Sequence, residues 1–263
     1  MISSFTSMDL PVMTFDSPVD FQTGQILLVD KPLHWTSFDV VNKIRATLRH
    51  HLGFKKIKVG HAGTLDPLAS GVLVVCTGKM TKQIAELQAD DKSYLAEIRL
   101  GATTPSDDAE LDVDNWVDAS NLQHESIQNA ANQWTGQISQ MPPAFSAKKV
   151  DGKKAYAVAR KGGELNLKSV NLTIARFDIE SISHKTVDGY KVCDATAAID
   201  CSKGTYIRAL ARDLGRELGV GGHLVGLRRT ASGRFNQADC MNLASLVERI
   251  QSMPAAQAVD AHR

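Results

Sequence analysis

Two stretches late in the chain, 171–182 and 190–201, read as strands that follow one another with no helix between them. In the second, Cys193, Ala195, Ala197 and Ile199 fall on one face, the two-residue period of a strand with one buried side. Strands joined this directly pair antiparallel, because a parallel partner needs a crossover of a dozen or more residues. A fold built throughout from strand–helix–strand units is therefore excluded. Tyr94, Ala96, Ile98 and Leu100 repeat the alternation, and 25–30, 57–59 and 72–76 are shorter apolar strands. Helical signals lie among them. Thr36-Ser37-Phe38-Asp39 sets a hydroxyl cap three residues before an acid, and Phe38, Val41, Ile44 and Leu48 follow at helical spacing. Ser120 is placed to cap a helix through Ile127, Ala130, Ala131 and Trp134. Ile207, Leu210, Leu214 and Leu218 mark another, ended by Gly219, and a last short helix covers about 242–251. The expected class is α+β: a largely antiparallel, mixed central sheet flanked by helices and loops.

The 263 residues suit one large domain or two small ones, and 43% apolar with 22% charged residues is an ordinary globular mix. Residues 1–22 lack periodicity and read as a loose leader; 23–240 read as one body, and 241–263 as a short helix and tail. Asp9, Asp16, Asp20 and Asp30 all precede the first basic residue, Lys31, which does not fit a secretion signal. No apolar run approaches the ~20 residues that span a bilayer, so a cytoplasmic protein without membrane contact is expected. Cys76, Cys193, Cys201 and Cys240 lie far apart, and the histidines are scattered. No metal site follows from them, and four reduced, mostly buried thiols are expected.

The net charge is only +1, but the charge is segregated. Residues 40–65 hold six cations and no acid, while 101–147 hold seven acids, among them Asp107 and Asp108, and no Lys or Arg. Lys148, Lys149, Lys153 and Lys154 open a second basic stretch; Arg208, Arg212, Arg216, Arg228, Arg229 and Arg234 form a third. Single stretches of this kind are usually solvated faces. Three of them around one Gly-rich turn point to a polyanion-binding cleft, with the acidic stretch facing away. The turn is 60–71, and within it Gly63-Thr64-Leu65-Asp66-Pro67 has the composition of any tight loop. It also offers a carboxylate on a constrained backbone, because Pro67 biases Asp66 toward an extended conformation.

The run Gly60-His61-Ala62-Gly63-Thr64-Leu65-Asp66-Pro67-Leu68-Ala69-Ser70-Gly71 resembles the catalytic signature of the TruB family of pseudouridine synthases. Further blocks occur in family order: Asp30-Lys31-Pro32 with Thr36-Ser37, Lys92-Ser93-Tyr94, the segment from Gln140 to Lys149, Cys201–Arg208 and Leu227-Arg228-Arg229-Thr230. The likeness covers about 24–235. It implies the pseudouridine-synthase fold over 23–240, with about 140–170 as an inserted, RNA-contacting segment and no C-terminal PUA domain in 241–263. It implies isomerisation of the uridine at position 55 in the T-loop of tRNA, after that base is flipped out.

Asp66 would be the nucleophile or base, and Arg208 would hold it ionised. Tyr94 would stack on the target base and share in proton transfer. His61 would fill the space the flipped base leaves. Tyr206 and Leu227 would contact the flipped nucleotide, with Lys31 as a supporting cation. Lys148, Lys149, Lys153, Arg228 and Arg229 would meet phosphates. Breaking an N–C bond and re-forming it as C–C needs no redox partner, so neither cofactor nor metal is expected. The partner would be the T-arm of tRNA, and the protein a monomer. His34 stands where the family commonly has Gly, and Phe145 where it often has Tyr. Two other classes fit less of the chain: a non-catalytic tRNA-folding factor using the same cleft, which needs no Asp66, and a carboxylate hydrolase, which needs a second acid beside it.

Overall fold

The computed structural model describes residues 10–13, 19–145, 149–150, 153–154 and 167–254. The chain divides into two compact units, Met1–Ala89 with Ser232–Arg263, and Asp90–Ala231. The domain expected over 23–240 runs across both units, and the first is discontinuous in sequence.

The first unit starts with β1 (Ile26–Lys31) and α1 (Ser37–His51). The capping box forms: the Asp39 amide donates to the Thr36 hydroxyl at 3.0 Å, and the Thr36 amide donates to the Asp39 carboxylate at 2.9 Å. Val40, Val41, Ile44 and Leu48 are buried along the helix. Phe38, expected on that face, is instead 60% exposed. β2 (Val59–His61) and β1 both pair antiparallel with β3 (Ala69–Thr77). The apolar run in β1 is unbroken because the strand is buried on both sides. Leu27 and Val29 join Leu73 and Val75 under α1, while Ile26 and Leu28 join Val72, Val74 and Cys76 in a second cluster. Val19 and Phe21, inside the segment expected to be a loose leader, belong to the first of these clusters. A short α2 (Ile84–Ala89), not expected from sequence, contributes Leu87 to the second.

In the second unit, β4 (Lys92–Leu100), α3 (His124–Asn132), β5 (Gly136–Gln140), β6 (Val170–Val187), β7 (Tyr190–Cys201), α4 (Ile207–Glu217) and β8 (Gly222–Ser232) follow in order. The sheet order is β8–β4–β7–β6–β5, and β4–β7, β7–β6 and β6–β5 are antiparallel. The two strands anticipated from their alternation are one long hairpin. Val187 pairs with Tyr190 across Asp188 and Gly189, whose φ angles of 51° and 87° are those of a two-residue turn matched to strand twist. Ala96, Ile98, Cys193, Ala195, Ala197 and Ile199 share one core with Ile127, Ala131, Leu210 and Leu214 of the helices above them. The cap of α3 is Gln123, three residues after the expected Ser120, whose amide instead donates to the Asp118 carboxylate at 2.8 Å.

The chain then returns to the first unit. Met241–Asn242 pairs parallel with β1, which makes the sheet mixed, and α5 (Leu243–Gln251) buries Leu246, Val247 and Ile250 beside α1. No helix of the described residues is long and apolar enough to cross a membrane.

Candidate active site

In the first unit, the 60–71 turn joins β2 to β3 and carries Asp66, half-buried, between neighbours that are each held from the α1 entry. The Ser37 hydroxyl, buried at the first residue of α1, donates to the Leu65 carbonyl at 3.0 Å and accepts from the Leu65 amide at 2.8 Å. On the other side, the His34 amide donates to the Pro67 carbonyl at 2.7 Å. His34 does this with φ of 64°, the left-handed region that glycine enters most easily, so this chain keeps a glycine-like backbone with an imidazole on it. The Ala69 amide closes the turn on the Asp66 carbonyl at 3.0 Å. Lys31 is fully buried at the end of β1, and its ammonium donates to the carbonyls of Pro32 at 2.8 Å and Trp35 at 2.5 Å. It braces the segment that grips the Asp66 turn. His61 is half-buried on β2, opposite Val75.

In the second unit, Tyr94 on β4 and Leu227 on β8 are half-buried against the same core. Tyr206 caps α4, and its backbone is held at both polar atoms by the buried side chain of Gln140. The amide of Gln140 donates to the Tyr206 carbonyl at 3.1 Å, and its oxygen accepts from the Tyr206 N–H at 3.0 Å. Arg208, in the first turn of α4, is buried rather than displayed on an exposed face. Its guanidinium donates to the carbonyls of Ser106 at 3.0 Å and Phe145 at 2.9 Å, and lies 3.4 Å from the Asp108 carboxylate. Asp66 belongs to the first unit; Tyr94, Tyr206, Arg208 and Leu227 belong to the second.

The charge pattern departs from expectation. Asp107 and Asp108 do not face away. Asp108 lies 3.4 Å from the buried Arg208, where a carboxylate offsets lost hydration, and Asp107 meets the half-buried Arg212 at 3.0 Å. Burial pushes the Asp107 carboxyl up from its ordinary value, and Arg212 opposes that rise. Arg216 pairs with Asp213 at 3.0 Å. Arg229 is 1% exposed, so the phosphate-binding role expected of it does not fit. Arg229 is buried, and burial together with that guanidinium pushes the Lys92 ammonium down. Arg228 remains half-exposed. Lys149 and Lys153 belong to two short antiparallel strands, Lys149–Val150 and Lys153–Lys154, while Lys148 lies outside the described residues.

Sequence reasoning gave no role to Ser37, Gln140 or the Asp108–Arg208 pair. Each works across a long separation, and no periodicity signals that. No cluster of three metal-ligating side chains occurs among the described residues.

The chain is α+β, with Asp66 on a turn pinned at both flanking residues in the first unit and Tyr94 and Leu227 each packed on the core of the second, and its family models are those of a pseudouridylate synthase. Residues 49–207 match the N-terminal domain of the TruB family of pseudouridylate synthases, and 208–261 match the tRNA pseudouridylate synthase B C-terminal domain. The chain belongs to the TruB family. It is similar to tRNA pseudouridine synthase B of Phocaeicola vulgatus, 48% identical over 88% of this chain and 94% of that one. The protein of the same name from a Mycobacterium species is 48% identical over 86% of this chain and 72% of its own length. Among solved structures, a Cbf5-Nop10-Gar1 complex aligns with a TM-score of 0.60 at 27% identity over 91% of this chain; the match spans 62% of that chain.

Proposed function

We propose that this chain isomerises uridine to pseudouridine in tRNA, at position 55 of the T-loop, with Asp66 as the group on which the chemistry depends. The observation that carries the reading is the double grip on the Asp66 turn: Ser37 on the residue before it and His34 on the residue after. A reacting carboxylate must be placed to within a fraction of an ångström, and fixing both flanking residues does that without using the carboxylate itself.

In the reaction the uridine leaves the stack, its N1–C1′ bond breaks, the ring turns, and C5 bonds to C1′. The proton on C5 is lost and N1 ends protonated, so atoms balance without a co-reactant. Tyr94 supplies a flat floor for the ring and Leu227 an apolar wall. His61 fills the vacated space, Tyr206 lines the base site, and Arg208 keeps Asp66 ionised. Arg228, Lys148, Lys149 and Lys153 hold phosphates. The enzyme acts as a cytoplasmic monomer on the T-arm.

The test is tritium release from tRNA labelled at uracil C5. Asp66→Asn should lose turnover by at least a thousandfold while tRNA affinity stays within about threefold, since the amide keeps the shape and removes the charge. More than trace turnover would sink the assignment. An isolated T-arm stem-loop should keep kcat/KM within about tenfold of full tRNA, roughly 1.4 kcal/mol of transition-state stabilisation.

A further inference from the structure

At the far end of β3 from Asp66 the first unit holds a cavity of about 260 Å³ whose lining includes Lys56, Lys58, Lys79 and Lys82, with Gln22 and Thr81 and no acidic side chain. Eight residue steps along β3, at ~3.3 Å each, put it about 26 Å from the start of that strand, where the Asp66 turn ends. It is a separate place from the candidate catalytic turn. All four lysines are exposed. Asp20 is close enough to feel Lys79, but its carboxylate is occupied by the Thr23 hydroxyl and by the amides of Gln22 and Thr23.

Four ammonium groups around one hollow repel each other unless an anion sits among them. Lysine suits phosphate as a compact point charge with rotatable donors, where arginine would dictate a planar fork. The hollow is smaller than the ~300–1,000 Å³ of small-molecule pockets, and four ammonium groups belong to its lining. A phosphodiester entering from one side fits both facts better than an enclosed nucleotide.

We propose that this cavity is a phosphate-binding site that holds the backbone of the RNA substrate well away from its target uridine. The proposal rests on the tRNA-modifying function set out above. A separation of about 26 Å equals roughly eight stacked base steps at ~3.4 Å, so a phosphate well down the stem of the target arm would reach it.

The experiment measures RNA binding in the Asp66→Asn background, so that turnover does not intervene, with and without Lys56→Gln/Lys82→Gln. Both lysines are exposed, and an unchanged melting temperature confirms that the variant folds. The expected result is about tenfold weaker binding of the T-arm stem-loop. The plot of log K against log salt should flatten by about one unit for each phosphate that is no longer neutralised. Shortening the stem from its open end should abolish the difference between the two proteins. Equal affinity and equal salt slope for the long stem would overturn the proposal. So would saturable binding of inorganic pyrophosphate that the lysine substitutions remove while RNA binding stays the same, since the cavity would then serve a free anion. Turnover by Asp66→Asn alone would instead overturn the catalytic reading, so the two failures are distinguishable.

Discussion

Ser37 spends both hydrogen-bonding roles of its hydroxyl on the backbone of Leu65, one residue before Asp66. Ser37→Ala leaves a buried amide and carbonyl without that partner, a loss of about 1–3 kcal/mol of stability. The larger effect should be on kcat, down at least tenfold with KM within threefold, because Asp66 loses one of its two anchors. Ile44→Val, a core change in the same unit costing about 0.5–1.5 kcal/mol, gives the control. If it lowers kcat as much as Ser37→Ala does, Ser37 is only a stabiliser. The thiols carry a second expectation at this scale. Burial pushes Cys76 and Cys201 up to about 11 and raises Cys193 as well, while Cys240 is only half-buried. The thiolate is the reactive form, so a thiol reagent at pH 7.5 should label Cys240 rapidly and the other three only on unfolding.

Among the elements, α4 carries two of the proposed site residues: Tyr206 is its cap and Arg208 lies in its first turn, and Gly215 lies against the turn that follows the helix. A Cβ on Gly215 would stand 2.2 Å from the backbone of Gly221 and Gly222. Glycine to alanine inside a helix ordinarily gains up to ~1 kcal/mol; here the clash with backbone reverses the sign, and Gly215→Ala should cost about 1–3 kcal/mol or more in a urea titration. Asp108→Asn should cost about 1–3 kcal/mol by removing the carboxylate charge 3.4 Å from the buried Arg208 guanidinium, and should lower kcat through the same side chain. The sequence made α1, β4 and the β6–β7 hairpin legible, since their periods are local and strong. It left out α2, β5 and β8. β8 shows why: its buried residues include His223 and Arg229 as well as Leu224, so burial does not follow hydrophobicity there. The site divides the same way. Asp66 and His61 could be found because they sit in one ordered motif, and Lys31 because it sits in the block that precedes it. The grip of Ser37 on Leu65 and of Gln140 on Tyr206 spans 28 and 66 residues, and only the fold brings those partners together.

On the scale of the whole molecule, stability should depend on pH through His223. This imidazole is 2% exposed, its Nδ1 lies 2.9 Å from the Ala102 carbonyl, and burial pushes its pKa below the ordinary 6.5. Between that lowered value and 6.5 the unfolded chain binds the extra proton and the folded chain does not. Stability is therefore lost as pH falls from 6.5, at no more than about 1.4 kcal/mol per pH unit for one proton. Urea midpoints at pH 7.5 and 5.5 should separate more for the wild type than for His223→Gln; equal separations would remove His223 as the cause. Another property of the whole follows from the parallel pairing of Val29 with Met241. During synthesis β1 leaves the ribosome early, and the strand that covers its outer edge arrives about two hundred residues later. At about 5–20 residues per second that is an interval of roughly 10–40 s. Through that interval the continuous stretch Asp90–Ala231 can complete its own core, while Val12 already bridges β1 at Ile26 but the part of its edge that Met241–Asn242 will cover stays open, the part of a nascent sheet most prone to join another chain. Chains truncated before Ser232 should therefore aggregate through β1, and the yield of folded protein should be set by how fast the stretch that supplies Met241–Asn242 and Leu243–Gln251 is read.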